Sequence, residues 1–182
     1  KPNAIGDSDM TLVTGGAGFI GSHLVDELVS RGEKVRVLDD FSTGSMENLS
    51  HSATCVELVT GDLRDEKIVS NAMEGATFVL HVGALGSVPR SVDDPRKSNA
   101  VNVTGTLNVL EAAREQGVKR LVFASSSSVY GNVKTLPQVE SASLGPRSPY
   151  AVSKLACEWY CRIYNDIFGL ETVVLRYFNV FG

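Results

Sequence analysis

The chain has 182 residues, 43% hydrophobic and 21% charged, with 17 basic against 21 acidic side chains and a net charge of -4. That length fits one domain with a continuous core, and the apolar share excludes disorder. The acidic balance argues against a surface built to hold nucleic acid through its phosphates, and no run reaches the roughly 18 apolar residues of a membrane span.

The segment 1–9 is polar, without a basic-then-apolar leader, and reads as an extension ahead of a domain over 10–182. Residues 10–14 (MTLVT) form an apolar run that ends at glycines. Helical spacing follows over 19–30, where Ile20, Leu24, Val25 and Leu28 share a face and Arg31-Gly32 stops it. Strands are predicted at 34–39, 55–59, 77–82, 120–124 and 172–176. Helices are predicted at 65–73, 96–116 and 148–168, the last two closed by Gly117 and Gly169. Strands thus alternate with helices, and runs such as FVLHV and RLVFA are apolar on both faces. The fold class expected is α/β, a doubly wound parallel sheet with helices on both sides.

Three cysteines, Cys55, Cys157 and Cys161, make an odd set with no Cys-x-x-Cys. They read as reduced thiols in a cytoplasmic protein and are too few for a metal site.

Between the first strand and its helix stands Gly15-Gly16-Ala17-Gly18-Phe19-Ile20-Gly21, a G-x-x-G-x-x-G turn. The first glycine permits the tight turn, the second lets backbone approach a pyrophosphate, and the third lets helix and strand pack closely. The helix N-terminus adds N–H groups and partial positive charge. The second strand ends on Asp39, where a carboxylate can accept hydrogen bonds from a ribose and would repel a 2′-phosphate. Binding of NAD rather than NADP is therefore expected. Asp62 ends the third strand, placed either to meet an adenine amino group or to cap the helix that follows.

Tyr150 and Lys154 stand four apart at the start of the late helix, on one face. The ammonium can lower the phenol pKa, ordinarily about 10. A phenolate so stabilised can take a proton from an alcohol or sugar hydroxyl. The strand before this helix ends in Ser125-Ser126-Ser127-Ser128-Val129-Tyr130-Gly131, which puts hydroxyls at the carboxyl edge of the sheet. Some of those serines are expected to cap the turn and no more.

These features together resemble the extended short-chain dehydrogenase/reductase family, and within it the NAD-dependent UDP-hexose 4-epimerases. The stretches that carry the resemblance are VTGGAGFIGSHLVDEL, VLDDFSTGSMENL, GDLRD, ASSSSVYG, SPYAVSKLACE and VLRYFNVFG, spread over nearly the whole chain. The resemblance implies a Rossmann-type domain with catalytic Ser126, Tyr150 and Lys154. It implies cofactor contacts from Gly15, Gly18, Phe19, Ile20 and Gly21, from Asp39, Asp40, Ser42, Thr43 and Gly44 around the adenosine ribose, and from Asp62 and Leu63 beside the adenine. Tyr150, Lys154 and Phe178 would border the nicotinamide. The UDP-sugar would meet Ser126, Ser127, Tyr150 and Asn179, with Ser87 and Arg90 as further candidates and a solvated Arg90 equally compatible.

The implied reaction inverts C4 of UDP-glucose/galactose or UDP-N-acetylglucosamine/galactosamine through a transient 4-keto sugar. Members of this family are commonly homodimers through helices like 96–116 and 148–168. Two positions depart from the family pattern. Gly83 stands where alanine is usual, and Ser127 and Ser128 replace the acidic pair of the dehydratases, which argues against 4,6-dehydration. The glutamate of UDP-glucuronate decarboxylases is also missing, whereas UDP-glucuronate 4-epimerases can share the serine run. The other readings are a uronate epimerase, decarboxylase or nucleotide-sugar reductase, or a non-catalytic NAD-binding fragment. The smaller lobe that clamps the UDP-sugar in relatives follows RYFNVFG, so this chain is expected to hold only the N-terminal part of such an enzyme.

Overall fold

The computed structural model describes residues 9–132 and 137–181; the polar extension, apart from Asp9, lies outside the described residues, as does Gly182. The chain runs β1 (Met10–Thr14), α1 (Phe19–Ser30), β2 (Lys34–Asp39), β3 (Val56–Thr60), α2 (Glu66–Met73), β4 (Phe78–His81), α3 (Val88–Asp93), α4 (Pro95–Asn99), α5 (Gly105–Glu115), β5 (Arg120–Ser126), α6 (Pro149–Phe168) and β6 (Glu171–Tyr177). Among the described residues the six strands form one sheet in the order β3-β2-β1-β4-β5-β6, every pair parallel. Sequence order reverses between β1 and β4, so a crevice opens there at the carboxyl ends of the strands.

Two cores flank the sheet. Leu12, Val69, Met73, Leu110, Leu121, Phe123 and Cys157 pack in the larger one, contributed by strands, α2, α5 and α6. Val13, Val25, Val35, Val37 and Leu49 form the smaller one with α1. The expectation of strands buried on both faces holds for β1 and fails at the edges. In β3 the side chains of Glu57, Leu58 and Thr60 are exposed, and in β6 so are Val173 and Leu175. An edge strand has a neighbour on one side only, so its side chains lose cover first.

The helix expected over 96–116 is interrupted. Asp94 caps α4 by accepting from the Lys97 N–H at 2.9 Å, and a π turn at Ala100–Thr104 separates α4 from α5. Asn102, in that turn, is buried: its Oδ1 accepts from the Leu85 N–H at 2.8 Å, and its Nδ2 donates to Ser153 Oγ at 3.0 Å. The Asn102 carbonyl accepts from Cys157 Sγ at 3.2 Å. The widened turn thus turns a polar side chain inward and leaves a carbonyl for α6 to satisfy, a common use of π turns at functional sites. Helix α3 lies outside the predicted elements; Ser87 caps it and Pro89 sits in its first turn, where a missing N–H costs nothing. In α6 the Ser148 hydroxyl accepts from the Ala151 N–H at 3.1 Å, and Gly169 ends the helix at φ +73°. Such an N-cap contributes about 1 kcal/mol. No helix among the described residues is long and apolar enough to cross a membrane.

His81 closes β4 and is 1% exposed. Its Nδ1 lies 2.6 Å from Thr14 Oγ1 on β1 and its Nε2 2.9 Å from Thr106 Oγ1 on α5. Burial, with the nearby Lys154 charge, pulls its pKa from 6.5 down to about 3. The unfolded chain therefore binds a proton between those values that the folded chain refuses. His81 stabilises the fold fully above pH 6.5, and that stability is lost as pH falls toward 3. Urea unfolding of wild type and His81→Asn at pH 7, 6, 5 and 4 is expected to show the wild type losing stability faster, by up to about 1.4 kcal/mol per pH unit. Parallel pH dependences would refute a buried neutral imidazole.

Candidate active site

Two adjoining clefts open at the carboxyl ends of the strands. The smaller, about 100 Å³, is lined by Gly15, Gly18, Asp39, Asp40, Ser42, Thr43, Asp62 and Leu63. The larger, about 760 Å³, is lined by Gly15, Gly18, Phe19, Ile20, Gly21, Ser126, Ser127, Tyr150, Lys154, Phe178 and Asn179. Gly15 and Gly18 border both, so the glycine turn is the seam between them.

The turn is built by close approach. Gly15 sits at φ +69°, and a Cβ on Gly21 would fall 2.0 Å from the Gly15 carbonyl oxygen. Gly18, at the N-cap of α1, offers no side chain to the first-turn amides. Those N–H groups and the helix dipole remain available to an anion in the cleft. Gly83 lies opposite: a Cβ there would sit 3.0 Å from Leu63 Cδ1 and 3.3 Å from the Gly15 nitrogen. The glycine in place of the usual alanine thus relieves a tight contact with the turn.

Asp39 is 8% exposed, and its carboxylate holds the turn from below. Oδ2 accepts from the Ala17 N–H at 2.9 Å and Oδ1 from the Phe41 N–H at 2.8 Å. Each oxygen keeps a lone pair for a ribose hydroxyl. Phe41 is held at φ +56°, left-handed for a bulky residue, a conformation that costs of order 1 kcal/mol. Asp40 accepts from the Ser42 N–H at 2.9 Å. Gly44 does not line either cleft; it packs on Ala17, where its Cβ would lie 2.7 Å from the backbone. Asp62 accepts from the Arg64 N–H at 2.8 Å and pairs with the Arg64 guanidinium, which holds its carboxyl below the usual range. The cap of α2 is Asp65 instead.

Across the seam, Lys154 is buried in α6 and donates to the Ala124 carbonyl at 2.8 Å. Its Nζ lies 4.8 Å from the Phe123 ring centroid and 6.0 Å from that of Tyr150. Desolvation lowers the ammonium from 10.5 to about 8. The Tyr150 phenol is moved upward by its burial, opposed by a hydrogen bond with Ser126. The lowering expected from Lys154 is not seen in this arrangement, where burial and the Ser126 bond alone set the phenol. Ser126 also accepts from the Ser128 N–H at 3.2 Å, capping a 3₁₀ turn over Ser127–Tyr130. Phe178 and Asn179, just past β6, stand exposed at the rim.

Two candidate substrate residues are placed elsewhere. Ser87 Oγ accepts from the Arg90 N–H as the cap of α3, and it is Gly86 and Val88 that line the larger cleft. Arg90 lines a separate hollow with Ser42, Thr43 and Lys97. Sequence reasoning missed Ser91, Asn102 and Ser153. The Tyr150 N–H donates to Ser91 Oγ at 3.0 Å, and Ser153 Oγ donates to the Tyr150 carbonyl at 2.7 Å. These contacts fix the first turn of α6 and hence the Tyr150 backbone. The available signal was Asn102, an amide on the apolar side of an otherwise amphipathic helix.

The buried ammonium gives a pH test of this geometry. Between about pH 8 and 10.5 the unfolded chain binds the proton more tightly, so Lys154 makes stability rise with pH in that window. Wild type is expected to gain on Lys154→Met in denaturant midpoint across that range. Midpoints that keep a constant separation would refute the burial of a titrating ammonium.

Comparison with known proteins matches residues 11–182 to the family model "NAD dependent epimerase/dehydratase family". A putative UDP-glucose 4-epimerase of Methanocaldococcus jannaschii is 41% identical over 175 residues, 95% of this chain and 56% of that protein. The UDP-N-acetylglucosamine 4-epimerase of Methanobrevibacter ruminantium M1, solved in complex with UDP-N-acetylmuramic acid, superposes with a TM-score of 0.91 at 40% identity, covering 98% of this chain and 57% of that one. The UDP-glucose 4-epimerase of Thermus thermophilus, solved with NAD, gives 0.89 at 45% identity over 95% of this chain and 56% of that one. The chain thus spans about half the length of the curated relatives it matches.

Proposed function

The chain belongs to the NAD dependent epimerase/dehydratase family, and from that premise we propose that it carries the NAD-binding and catalytic part of a UDP-sugar 4-epimerase. The substrates are UDP-glucose/galactose or UDP-N-acetylglucosamine/galactosamine. The observation that carries this reading is the convergence of Ser126, Tyr150 and Lys154 on one cleft, facing the uncapped N-terminus of α1.

The residues present fit a dinucleotide. The glycine turn lets α1 approach β1 closely and leaves the first-turn amides of α1 uncapped at the cleft for a pyrophosphate, and Asp39 presents free lone pairs where a 2′-phosphate would be repelled. Asp40, Ser42 and Thr43 border the adenosine ribose, and Asp62 and Leu63 flank the adenine. Bound there, NAD supplies reversible acceptance of hydride from sugar C4. The chain's own residues handle the proton and the geometry. Tyr150 takes the proton of the 4-hydroxyl and returns it after the keto sugar has turned. Ser126 orients that hydroxyl through its bond to the phenol. Lys154 supplies positive charge behind Tyr150, Ser127 touches the sugar, Phe178 borders the nicotinamide and Asn179 reaches the diphosphate. At Ser127 and Ser128 there is no acid to protonate a departing hydroxyl, which favours epimerisation over dehydration.

Incubated with UDP-glucose, UDP-N-acetylglucosamine and UDP-glucuronate in turn, the full chain is expected to yield a C4 epimer of a UDP-hexose with no net NADH. Accumulating NADH or released CO2 would overturn the assignment. Tyr150→Phe is expected to lose at least about 100-fold in turnover with NAD still bound; retained turnover would exclude Tyr150 as the base.

The same reading includes a homodimer through the helical segments 96–116 and 148–168, the second of which is α6. Val152, Trp159, Ile163 and Ile167 form an exposed stripe at helical spacing, Ile167 being 70% exposed. Contiguous exposed apolar surface marks an interaction site. Light scattering is expected to give a dimer for wild type and a monomer for Ile163→Glu. A wild-type monomer at micromolar concentration would rule the dimer out.

A further inference from the structure

Glu158 stands one helical turn beyond Lys154 on α6 and is 9% exposed. Its Oε1 accepts from the Ser125 hydroxyl at the end of β5 and from Arg176 Nε at 3.0 Å. Its Oε2 accepts from Arg176 Nη2 at 2.7 Å. Arg176, near the end of β6, also donates through Nη1 to Tyr130 Oη at 3.0 Å and to the Glu140 carbonyl at 3.2 Å. Its guanidinium lies 4.9 Å from the Tyr130 ring centroid. One carboxylate thus ties α6, β5 and β6 together, and through Arg176 it reaches the 3₁₀ turn.

Each tied residue adjoins a part of the cleft. Ser125 precedes Ser126; Tyr130 closes the turn that holds Ser127; Arg176 is followed by Tyr177, Phe178 and Asn179. Glu158 shares its helix with Tyr150 and Lys154. Because β6 pairs only with β5 among the described residues, no described strand fixes its outer side. Stability alone does not call for this pair, since well-packed apolar residues often serve as well as buried charges. A forked, charge-assisted pair instead fixes orientation.

We propose that Glu158 and Arg176 are positioning residues, a clamp that sets Ser126 and the 177–179 segment against Tyr150 and Lys154. The proposal rests on the epimerase reading for what the clamp serves. In the full chain, Glu158→Gln keeps shape and removes charge, Arg176→Lys keeps charge and removes the fork, and Ser125→Ala removes one hydroxyl. Hydrogen exchange of amides 126–130 and 177–179 is expected to quicken roughly tenfold in Glu158→Gln and Arg176→Lys, with β1 and α1 unchanged. Their kcat for UDP-hexose epimerisation is expected to fall by a similar factor or more while bound NAD stays stoichiometric. Ser125→Ala, too small a change to unfold the chain, is expected to move both readouts in the same direction by less. Unaltered exchange at the two segments, or wild-type kcat in folded variants, would overturn the clamp. A wild-type chain that binds NAD without turnover would be a cofactor-binding part only, and the exchange measurement would still judge the clamp.

Discussion

A methyl group on Gly21 would lie 2.0 Å from the Gly15 carbonyl oxygen, and one on Gly15 would lie 2.6 Å from the Gly83 Cα. Three backbones therefore meet where only hydrogen atoms fit between them. The contact brings the start of α1 against the end of β1 and sets the end of β4 beside both. With α1 so close, the Ala17 N–H points to Asp39 and the Ala17 carbonyl accepts from the Ser45 N–H at 3.0 Å and from Asn48 Nδ2 at 2.8 Å. The loop after β2 is fastened to the glycine turn by these bonds. Both clefts inherit their common wall from this one approach, and a larger residue at either end would push α1 off the sheet.

Behind that wall lies a layer of buried polar groups, each with partners. His81 bridges β1 and α5, Asn102 bridges the 85 loop and α6, and Lys154 is seated on the Ala124 carbonyl. Burying such groups costs free energy unless they are hydrogen-bonded. Apolar side chains would hold the elements together as firmly, but hydrogen bonds also set their register and orientation. The cost falls hardest on Lys154, whose charge meets a carbonyl dipole and two aromatic faces rather than a carboxylate.

The alternation of apolar runs with amphipathic segments located all six strands to within two residues, because the central strands carry an apolar signal on both faces and the edge strands β3 and β6 keep enough of it to be seen. The glycine turn, Asp39 and the Tyr150–Lys154 pair were legible for a different reason: their spacing is itself the geometry. What escaped was whatever depended on contacts between distant segments. The π turn at Asn102 exists because Leu85 and Ser153 reach it, and neither is its neighbour in sequence. Ser87 looked like a ligand for the sugar, yet a serine two residues before a proline is equally a helix cap, and α3 uses it so. The link from Glu158 to Arg176 joins positions whose partnership appears only when β6 lies beside β5.

The two halves of the site differ in how far the chain alone prepares them. On the nucleotide side, Asp39 is already oriented by two amide donors, so a ribose would meet a carboxylate that need not reorganise. On the side proposed for the sugar, the phenol is less ready. Burial pushes the Tyr150 pKa up, and only the Ser126 bond opposes it. A base in that state needs more positive potential before it can hold a proton's worth of negative charge. Lys154 is the chain's nearest source, but its Nζ is directed at Ala124 and lies 6.0 Å from the Tyr150 ring centroid. Its depressed pKa gives it an incentive to meet an anion, since a phenolate beside it would offset the desolvation of both charges. Were Lys154 Nζ to turn from Ala124 toward the phenol, ionisation of Tyr150 and retention of the Lys154 proton would favour each other.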